Sequence, residues 1–201
     1  MSLDSYSYRE IPAPAEGAPT LALFHGTGAD ETQFLGLAPQ LLPQARLVAV
    51  RGDVSEHGAL RYFKRTGEGV YDLADLAMRV DKMAGFLAAI KGDAPLYGLG
   101  YSNGANIIAA VMFKYPDLFD AAVLMHPLIP FTPDPQPRLA GKRMLITAGQ
   151  RDPICPPSGT HALNDYLSAQ GAAVDVFWHP GGHEVRQEEL VAIQRFTSTL
   201  S

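Results

Sequence analysis

Short runs of apolar and β-branched residues alternate along the chain with longer segments in which apolar residues recur at helical spacing. The short runs predict strands at residues 20–24, 46–50, 95–99, 121–125, 144–148 and 174–178. The longer segments predict helices at residues 32–42, 73–90, 105–113, 158–169 and 188–200. Because alternating strands and helices form parallel sheets through right-handed crossovers, we expect an α/β fold, with a doubly wound, mostly parallel sheet and helices on both faces.

The loops after the strands meet at one edge of such a sheet, where ligands bind. Two long stretches could cover this edge, a Gly- and charge-rich one at residues 52–69 and a Pro-rich one at residues 127–137. Only residues 127–143 separate two of the late strands, which is too short for an inserted cap domain. The pattern therefore predicts one domain over residues 1–201, with an open groove at the sheet edge.

The composition narrows the range of partners. The chain has 201 residues and is 47% hydrophobic, which is enough to bury a sizeable core. Its formal net charge is −5 and it has no basic run, so neither nucleic acid nor a membrane surface is an expected partner. Cys155 is the only cysteine, which excludes an intramolecular disulfide framework and a thiolate metal cluster.

The N-terminus lacks a signal-like pattern, and no apolar run approaches membrane-spanning length. We therefore expect a cytoplasmic protein that acts on a small molecule. A homodimer is compatible with the sequence, but no pattern selects an oligomeric state.

The segment Gly100-Tyr101-Ser102-Asn103-Gly104 carries the clearest chemistry, because it follows a predicted strand and precedes a predicted helix. A serine at such a turn presents its Oγ above the sheet edge, since the missing Cβ atoms at Gly100 and Gly104 let strand and helix pack closely. This context predicts a nucleophile at Ser102. The alternative is a glycine-rich loop whose hydroxyl only caps the helix.

A serine nucleophile needs a base to take its proton and an acid to orient that base, and in doubly wound hydrolases the chain order is serine, acid, histidine. Asp152 lies just after a predicted strand, and His183 lies in a Gly-rich loop after the last one. An aspartate before a proline is also a common turn former. Asp152 is nevertheless preferred to Asp134, which lies among prolines and directly follows no strand.

Three other histidines compete with His183 as the base. His161 falls inside a predicted helix, His179 lies at a strand end, and His126 comes too early for the usual chain order. We therefore predict that His183 completes a catalytic triad with the serine and the aspartate.

Negative charge on a carbonyl oxygen requires preorganised donors. The Asn103 N–H, directly after the nucleophile, is one candidate, and the Thr27 N–H, in a Gly-punctuated loop after the first core strand, is the other. His25 is expected to order this loop by hydrogen bonding. A phosphate cradle is the alternative for the loop, but it lacks both the dinucleotide spacing and the Lys-Ser/Thr ending.

The groove next to this machinery is expected to be walled by Arg61, Tyr62, Phe63 and His126. The alternative is that the Arg-Tyr-Phe triplet is ordinary packing and His126 a satisfied loop histidine. Serine acyl transfer needs no cofactor, so we expect neither a metal nor a cofactor.

Four segments together resemble the phospholipase/carboxylesterase family of α/β-hydrolases: FHGTG at 24–28, GYSNG at 100–104, GQRDPI at 149–154 and GGH at 181–183. The chain most resembles the small bacterial carboxylesterases grouped with hydroquinone-resistance hydrolases, and more distantly the acyl-protein thioesterases. The resemblance spans essentially the whole chain, since residues 51–52 and 61–63 also match that group.

This resemblance implies a minimal α/β-hydrolase fold without a cap domain, and a serine hydrolase that cleaves small soluble carboxylic esters through an acyl-enzyme. The same machinery serves thioesterases and lysophospholipases, and the same fold hosts non-catalytic ligand receptors. Asn103 departs from the glutamine usual after the nucleophile in acyl-protein thioesterases. Ser102, in place of a cysteine, is taken to separate the chain from the dienelactone hydrolases.

Overall fold

A seven-stranded, mostly parallel sheet forms the centre of the molecule in the computed structural model, which describes residues 3–200. The strands are β1 (Tyr8–Ile11), β2 (Thr20–Phe24), β3 (Arg46–Val50), β4 (Val54–Glu56), β5 (Ala59–Arg61), β6 (Arg65–Gly67), β7 (Val70–Tyr71), β8 (Leu96–Tyr101), β9 (Ala121–Met125), β10 (Arg143–Gly149) and β11 (Ala173–His179). The α-helices are α1 (Ala38–Leu41), α2 (Leu73–Lys91), α3 (Asn103–Lys114), α4 (Pro157–Ala169) and α5 (Gln187–Thr197). Short 3₁₀ helices occur at Leu3–Ser5 and Pro137–Leu139.

The strand order in the large sheet is β1-β3-β2-β8-β9-β10-β11. Only β1 runs antiparallel to its neighbour, and the other pairings are parallel. The loops after β2, β8, β9, β10 and β11 therefore lie at the same edge. This arrangement confirms the predicted α/β fold class.

Helices cover both faces of the sheet, because its central strands are apolar on both sides. In β2, Ala22 and Phe24 belong to the core beneath α2, α3 and α4. Leu21 and Leu23 point the other way, into the core shared with α1 and α5. No helix within residues 3–200 has both the length and the apolar character needed to cross a bilayer.

The helix predicted at residues 32–42 is wrong over most of its length, since only α1, four residues long, is helical there. Pro39 lies in the first turn of α1, and a proline further inside a helix would remove a hydrogen bond and collide with the preceding turn. Upstream, the carboxylate of Asp30 accepts the N–H of Thr32 and holds the chain in a turn.

The predicted loop at residues 52–69 contains most of two short antiparallel hairpins, β4–β5 and β6–β7. The edge strand β1 was also absent from the predicted strands. These strands are only two to four residues long and most of their residues are exposed or half-buried, so they show no apolar alternation from which a strand could be predicted.

Candidate active site

Ser102 lies at a strained turn between β8 and α3. Its φ of 53° and ψ of −116° are backbone angles that a residue with a side chain rarely adopts. A Cβ on Gly100 would lie 2.5 Å from the carbonyl carbon of Gly104, and one on Gly104 would collide with the Phe24 carbonyl oxygen. The two glycines therefore let α3 pack directly against β2 and β8, as the sequence predicted.

Ser102, His183 and Asp152 form a hydrogen-bonded chain at the carboxyl edge of the sheet. The Oγ of Ser102 lies 3.0 Å from Nε2 of His183, and Nδ1 of His183 lies 2.7 Å from Oδ2 of Asp152. Since an ionised carboxylate only accepts hydrogen bonds, Nδ1 donates and leaves Nε2 free to accept the serine proton. The geometry suits nucleophilic attack assisted by a general base.

Asp152 is held tightly in the loop after β10. Its Oδ1 accepts the N–H groups of Ile154 and Cys155, both at 2.8 Å. Burial alone would raise the pKa of this carboxyl, but these backbone bonds, together with those from two imidazoles, lower it below its ordinary value. Asp152 is therefore a fixed, ionised acceptor.

His183 is positioned by Tyr101, the residue directly before the nucleophile. The Tyr101 hydroxyl donates to the His183 carbonyl oxygen at 2.6 Å, and the two rings lie 5.3 Å apart. Burial raises the pKa of the Tyr101 phenol to about 12, so its hydroxyl stays protonated as a donor. Tyr101 thus ties the histidine loop to the serine turn.

Two backbone amides are available next to the serine. Gly26 N–H donates to Gln33 and Gly28 N–H to Leu60, which fixes the loop after β2. Within residues 3–200, neither the Thr27 N–H between them nor the Asn103 N–H at the start of α3 has an acceptor. Both residues line the cavity that also exposes the serine, as an oxyanion site requires.

The cavity has a volume of about 240 Å³ and a lining of both polar and apolar side chains. Arg61 lines it, as expected, and its guanidinium donates to Thr27 Oγ1 at 2.8 Å. Burial lowers the pKa of Arg61 from its ordinary value, and the charge of Arg65 adds to this effect. Glu56 opposes the shift, with Oε2 3.4 Å from Nε of Arg61.

Tyr62 and Phe63 do not reach the cavity, contrary to expectation, because both side chains are fully buried. The Tyr62 hydroxyl accepts the N–H of His25 at 3.0 Å and donates to the Val50 carbonyl at 2.8 Å. The Phe63 ring packs 4.7 Å from that of Tyr71. These two residues support the cavity from beneath instead of lining it.

His126 is also absent from the cavity wall and is completely buried behind Asp152. Its Nδ1 lies 2.9 Å from Oδ2 of Asp152, the same oxygen that binds His183. Its Nε2 lies 3.3 Å from both Glu189 Oε1 and His179 Nε2. The alternative that His126 is a satisfied buried histidine describes its position better than the predicted groove wall.

The competing candidates have other surroundings. Asp134 is exposed, and its carbonyl oxygen accepts the Tyr166 hydroxyl. His161 lies in α4, and its ring packs against that of Trp178 in β11. His25 orders its loop as expected, since its Nδ1 binds the Gly26 carbonyl and its Nε2 accepts the Gly52 N–H.

His126, His179 and Glu189 are close enough together to be considered as metal ligands. However, Nδ1 of His179 accepts the Gly181 N–H at 3.1 Å, so the proton of a neutral His179 is on Nε2. That nitrogen is the one that faces the other two groups, and a protonated nitrogen cannot bind a metal. The cluster therefore fits a hydrogen-bond network better than a metal centre.

Three residues of the site were missed by the sequence analysis. Tyr101 could have been suspected from its place before the nucleophile. Asn106, which lines the cavity and bonds Tyr71 and the Leu128 N–H, lies one turn after the serine in α3. Glu189 had a clearer signal, since it shares the buried face of α5 with Ile193.

Comparisons with known proteins identify similar hydrolases. The Dienelactone hydrolase family matches residues 74–188, more than half of the chain. The "Putative hydrolase MhqD" of Bacillus subtilis (strain 168) is 39% identical over 174 residues, covering 84% of this chain and 87% of that protein.

Two solved structures share the fold over nearly their full length. Protein Atu2452 of unknown function from Agrobacterium tumefaciens is 51% identical, with a TM-score of 0.93 and complete coverage of both chains. The Bacillus cereus carboxylesterase is 33% identical, with a TM-score of 0.92, and the match covers 98% of this chain and 95% of that one.

These similarities confirm the resemblance to α/β-hydrolases and support a hydrolase function. The expectation that Ser102 separates the chain from the dienelactone hydrolases is wrong at the level of the family, because the family match spans the serine turn itself. A different nucleophile thus does not place the chain outside the group. The chain belongs to the dienelactone hydrolase family, within the α/β-hydrolase superfamily.

Proposed function

We propose that this protein is a serine carboxylesterase that hydrolyses small carboxylic esters through an acyl-enzyme intermediate. The observation that carries the proposal is the hydrogen-bonded chain from Ser102 through His183 to Asp152, which ends at a cavity with two unpaired amides. The carboxylesterase among the solved relatives supports the same class of reaction.

In the proposed mechanism, Ser102 Oγ attacks the ester carbonyl carbon while Nε2 of His183 takes its proton. Asp152 stabilises the imidazolium that forms. The carbonyl oxygen becomes an oxyanion that accepts the Thr27 and Asn103 N–H groups. His183 then gives the proton to the leaving alkoxide. In the second half of the reaction, a water molecule attacks the acyl carbon while His183 takes its proton, and His183 returns a proton to Ser102 Oγ as the acid is released.

The size and polarity of the cavity favour short esters. A volume of about 240 Å³ is below the roughly 300–1,000 Å³ of pockets for drug-sized ligands. Arg61, Arg65 and Asn106 make part of its lining polar. Each methylene that is buried contributes about 0.8 kcal/mol, but a long acyl tail would extend beyond this cavity and add little to transition-state binding.

A fluorophosphonate probe followed by peptide mass analysis tests the nucleophile. We expect one adduct on Ser102 and none in Ser102→Ala. A folded wild-type protein that is not labelled would instead support a ligand receptor on the same fold.

A panel of p-nitrophenyl esters from acetate to palmitate tests the substrate class. We expect kcat/KM to be highest for acyl chains of two to four carbons and to fall with longer ones. A steady increase out to palmitate would indicate a lysophospholipase or lipid-directed thioesterase. Matched oxygen and thiol esters of one short acid separate an esterase from a thioesterase.

A further inference from the structure

Asp152 binds a second imidazole on the side that faces away from the cavity. His126 Nδ1 lies 2.9 Å from Asp152 Oδ2, and His126 is fully buried. On its far side, His126 Nε2 lies 3.3 Å from Oε1 of Glu189, which is also fully buried. One imidazole ring therefore connects the acid of the proposed triad to a second carboxylate on α5.

Glu189 has the partners of an ionised carboxylate. Its Oε1 accepts the hydroxyl of Thr147, and its Oε2 accepts the Arg186 N–H at 3.2 Å. Burial alone would raise the pKa of Glu189, but the bonds from His126 and Thr147 outweigh it and hold the pKa below its ordinary value. Glu189 therefore offers only acceptors to its neighbours.

A neutral His126, with its proton on Nδ1 toward Asp152, would accept the His179 N–H at Nε2, 3.3 Å away, but would also turn the lone pair of that nitrogen toward Glu189 Oε1. A second proton on Nε2 replaces this repulsion with attraction to the Glu189 carboxylate. The N–H of His179 is then left toward Glu189 Oε2, which lies 4.0 Å from His179 Nε2. Burial lowers the pKa of His126, but the bond and charge of Glu189, followed by those of Asp152, raise it above its ordinary value.

The other groups around the ring add no third negative charge. They are the rings of Tyr101 on β8, His179 at the end of β11 and His183 in the following loop, and the thiol of Cys155, which donates to the His126 carbonyl. Burial lowers the pKa of His179 and keeps it neutral, and burial raises the pKa of Cys155 well above its ordinary value. The charges that face His126 are thus the two carboxylates.

We propose that His126 is a positioning residue: an imidazolium, held by Glu189, that orients Asp152 toward His183. This inference rests on the proposed esterase function for its kinetic consequence. Protonated His126 binds the same Asp152 oxygen that stabilises protonated His183, and the two rings are 5.2 Å apart. Without this charge the Asp152 carboxylate faces one imidazole only, so we expect activity to be lost at a higher pH on the acid side.

The protonation state can be tested without any enzyme assay. Imidazole ¹⁵N–¹H correlation spectra of the labelled wild-type protein at pH 8 should show one histidine with both nitrogens protonated. That signal should be absent in His126→Asn and should become a singly protonated ring in Glu189→Gln. The matched control, Glu188→Gln, changes an exposed neighbour on α5 and should preserve it. Absence of the signal from the wild type, or its persistence in His126→Asn, overturns the proposal.

The kinetic consequence is tested by pH profiles of kcat/KM for p-nitrophenyl acetate. We expect the acid limb to move to higher pH by about 0.5 unit in Glu189→Gln and by more in His126→Asn, with KM nearly unchanged. His126→Asn keeps an N–H that can donate to Asp152 but lacks the charge. Glu188→Gln should retain the wild-type profile.

Three results separate failure of this inference from failure of the esterase function. Lower stability with an unmoved acid limb would show that His126 and Glu189 have only a structural role. Signals of His126 and His179 that shift on adding Zn²⁺ and return with EDTA would show a metal site and overturn the proposal. An inactive wild type that retains the doubly protonated ring would contradict the esterase function but not the imidazolium.

Discussion

Two histidines bind the same oxygen of Asp152, and their surroundings differ. His183 Nδ1 lies 2.7 Å and His126 Nδ1 2.9 Å from Oδ2. The His183 side chain is 17% exposed and faces Ser102, whereas that of His126 is fully buried and faces Glu189. The ring at the cavity can exchange its proton with a substrate, while the ring behind it is enclosed between two carboxylates.

This difference shows that burial and the group on the far nitrogen distinguish the two rings. A serine hydroxyl opposite Nε2 calls for a neutral ring that can accept a proton. A carboxylate opposite Nε2 calls for a protonated ring that keeps it. The same residue type on the same aspartate oxygen can therefore serve as a proton shuttle or as a fixed charge.

Ser102→Ala breaks the cavity side of this comparison and should have the largest effect. We expect ester hydrolysis to fall on the order of a thousandfold or more, because the nucleophile is lost while β8 and α3 are unchanged. The doubly protonated His126 signal should remain. Steady-state rates and circular dichroism check this, and near-wild-type activity in a folded variant would exclude Ser102 as the nucleophile.

Asp152→Asn affects both histidines at once. We expect a loss of roughly 10³- to 10⁴-fold in kcat, because an amide can hold His183 in the wrong tautomer. Stability should also fall, since His126 loses one of its two carboxylates. Asp134→Asn is the matched control at an exposed site and should be nearly silent. A severe loss in the control and a mild one in Asp152→Asn would mean that the acid has been misassigned.

Glu189→Gln removes the carboxylate that faces His126 and leaves the cavity residues unchanged. Its effect on stability should depend on pH. The raised pKa of His126 contributes stability below about pH 6.5, the ordinary pKa of histidine, and this contribution is lost as pH rises through the folded-state pKa. The lowered pKa of Glu189 contributes stability above about pH 4.5, the ordinary pKa of a glutamate.

The Glu189→Gln variant should therefore be less stable than the wild type by about 3 kcal/mol near pH 6, with the difference shrinking toward pH 9. Urea unfolding across this range, with Glu188→Gln as the control, provides the measurement. A difference that increases with pH would contradict a protonated His126.

Tyr101→Phe refines the cavity side and should have the smallest effect. It removes one hydrogen bond to the His183 carbonyl, of about 0.5–1.5 kcal/mol, so kcat/KM should fall roughly 2- to 10-fold. Tyr97→Phe is the matched control. Tyr97 lies at the start of the same strand, β8, and its hydroxyl donates a similar hydrogen bond to the Leu200 carbonyl. A loss above a hundredfold in Tyr101→Phe would indicate that the phenol takes part in the chemistry.

Local sequence predicted the positions of the central strands, because their apolar runs are buried on both faces of a parallel sheet. It also placed Ser102, Asp152 and His183 at strand ends, and the structure brings these three side chains into contact. It failed for the helix at residues 32–42, where Pro39 interrupts an otherwise helical pattern.

The sequence by itself determined which residues could meet at the sheet edge, since strand ends in a parallel sheet share one edge whatever the details of packing. Only the tertiary structure decided which side of that edge each one faces. In the sequence, Tyr62 lies near a turn and His126 directly follows a strand, as residues that line the cavity also do. Packing nevertheless buries both side chains. The pairing of His126 with Glu189 joins residues 63 positions apart. It depends on how α5 packs beside β10, which no local pattern encodes.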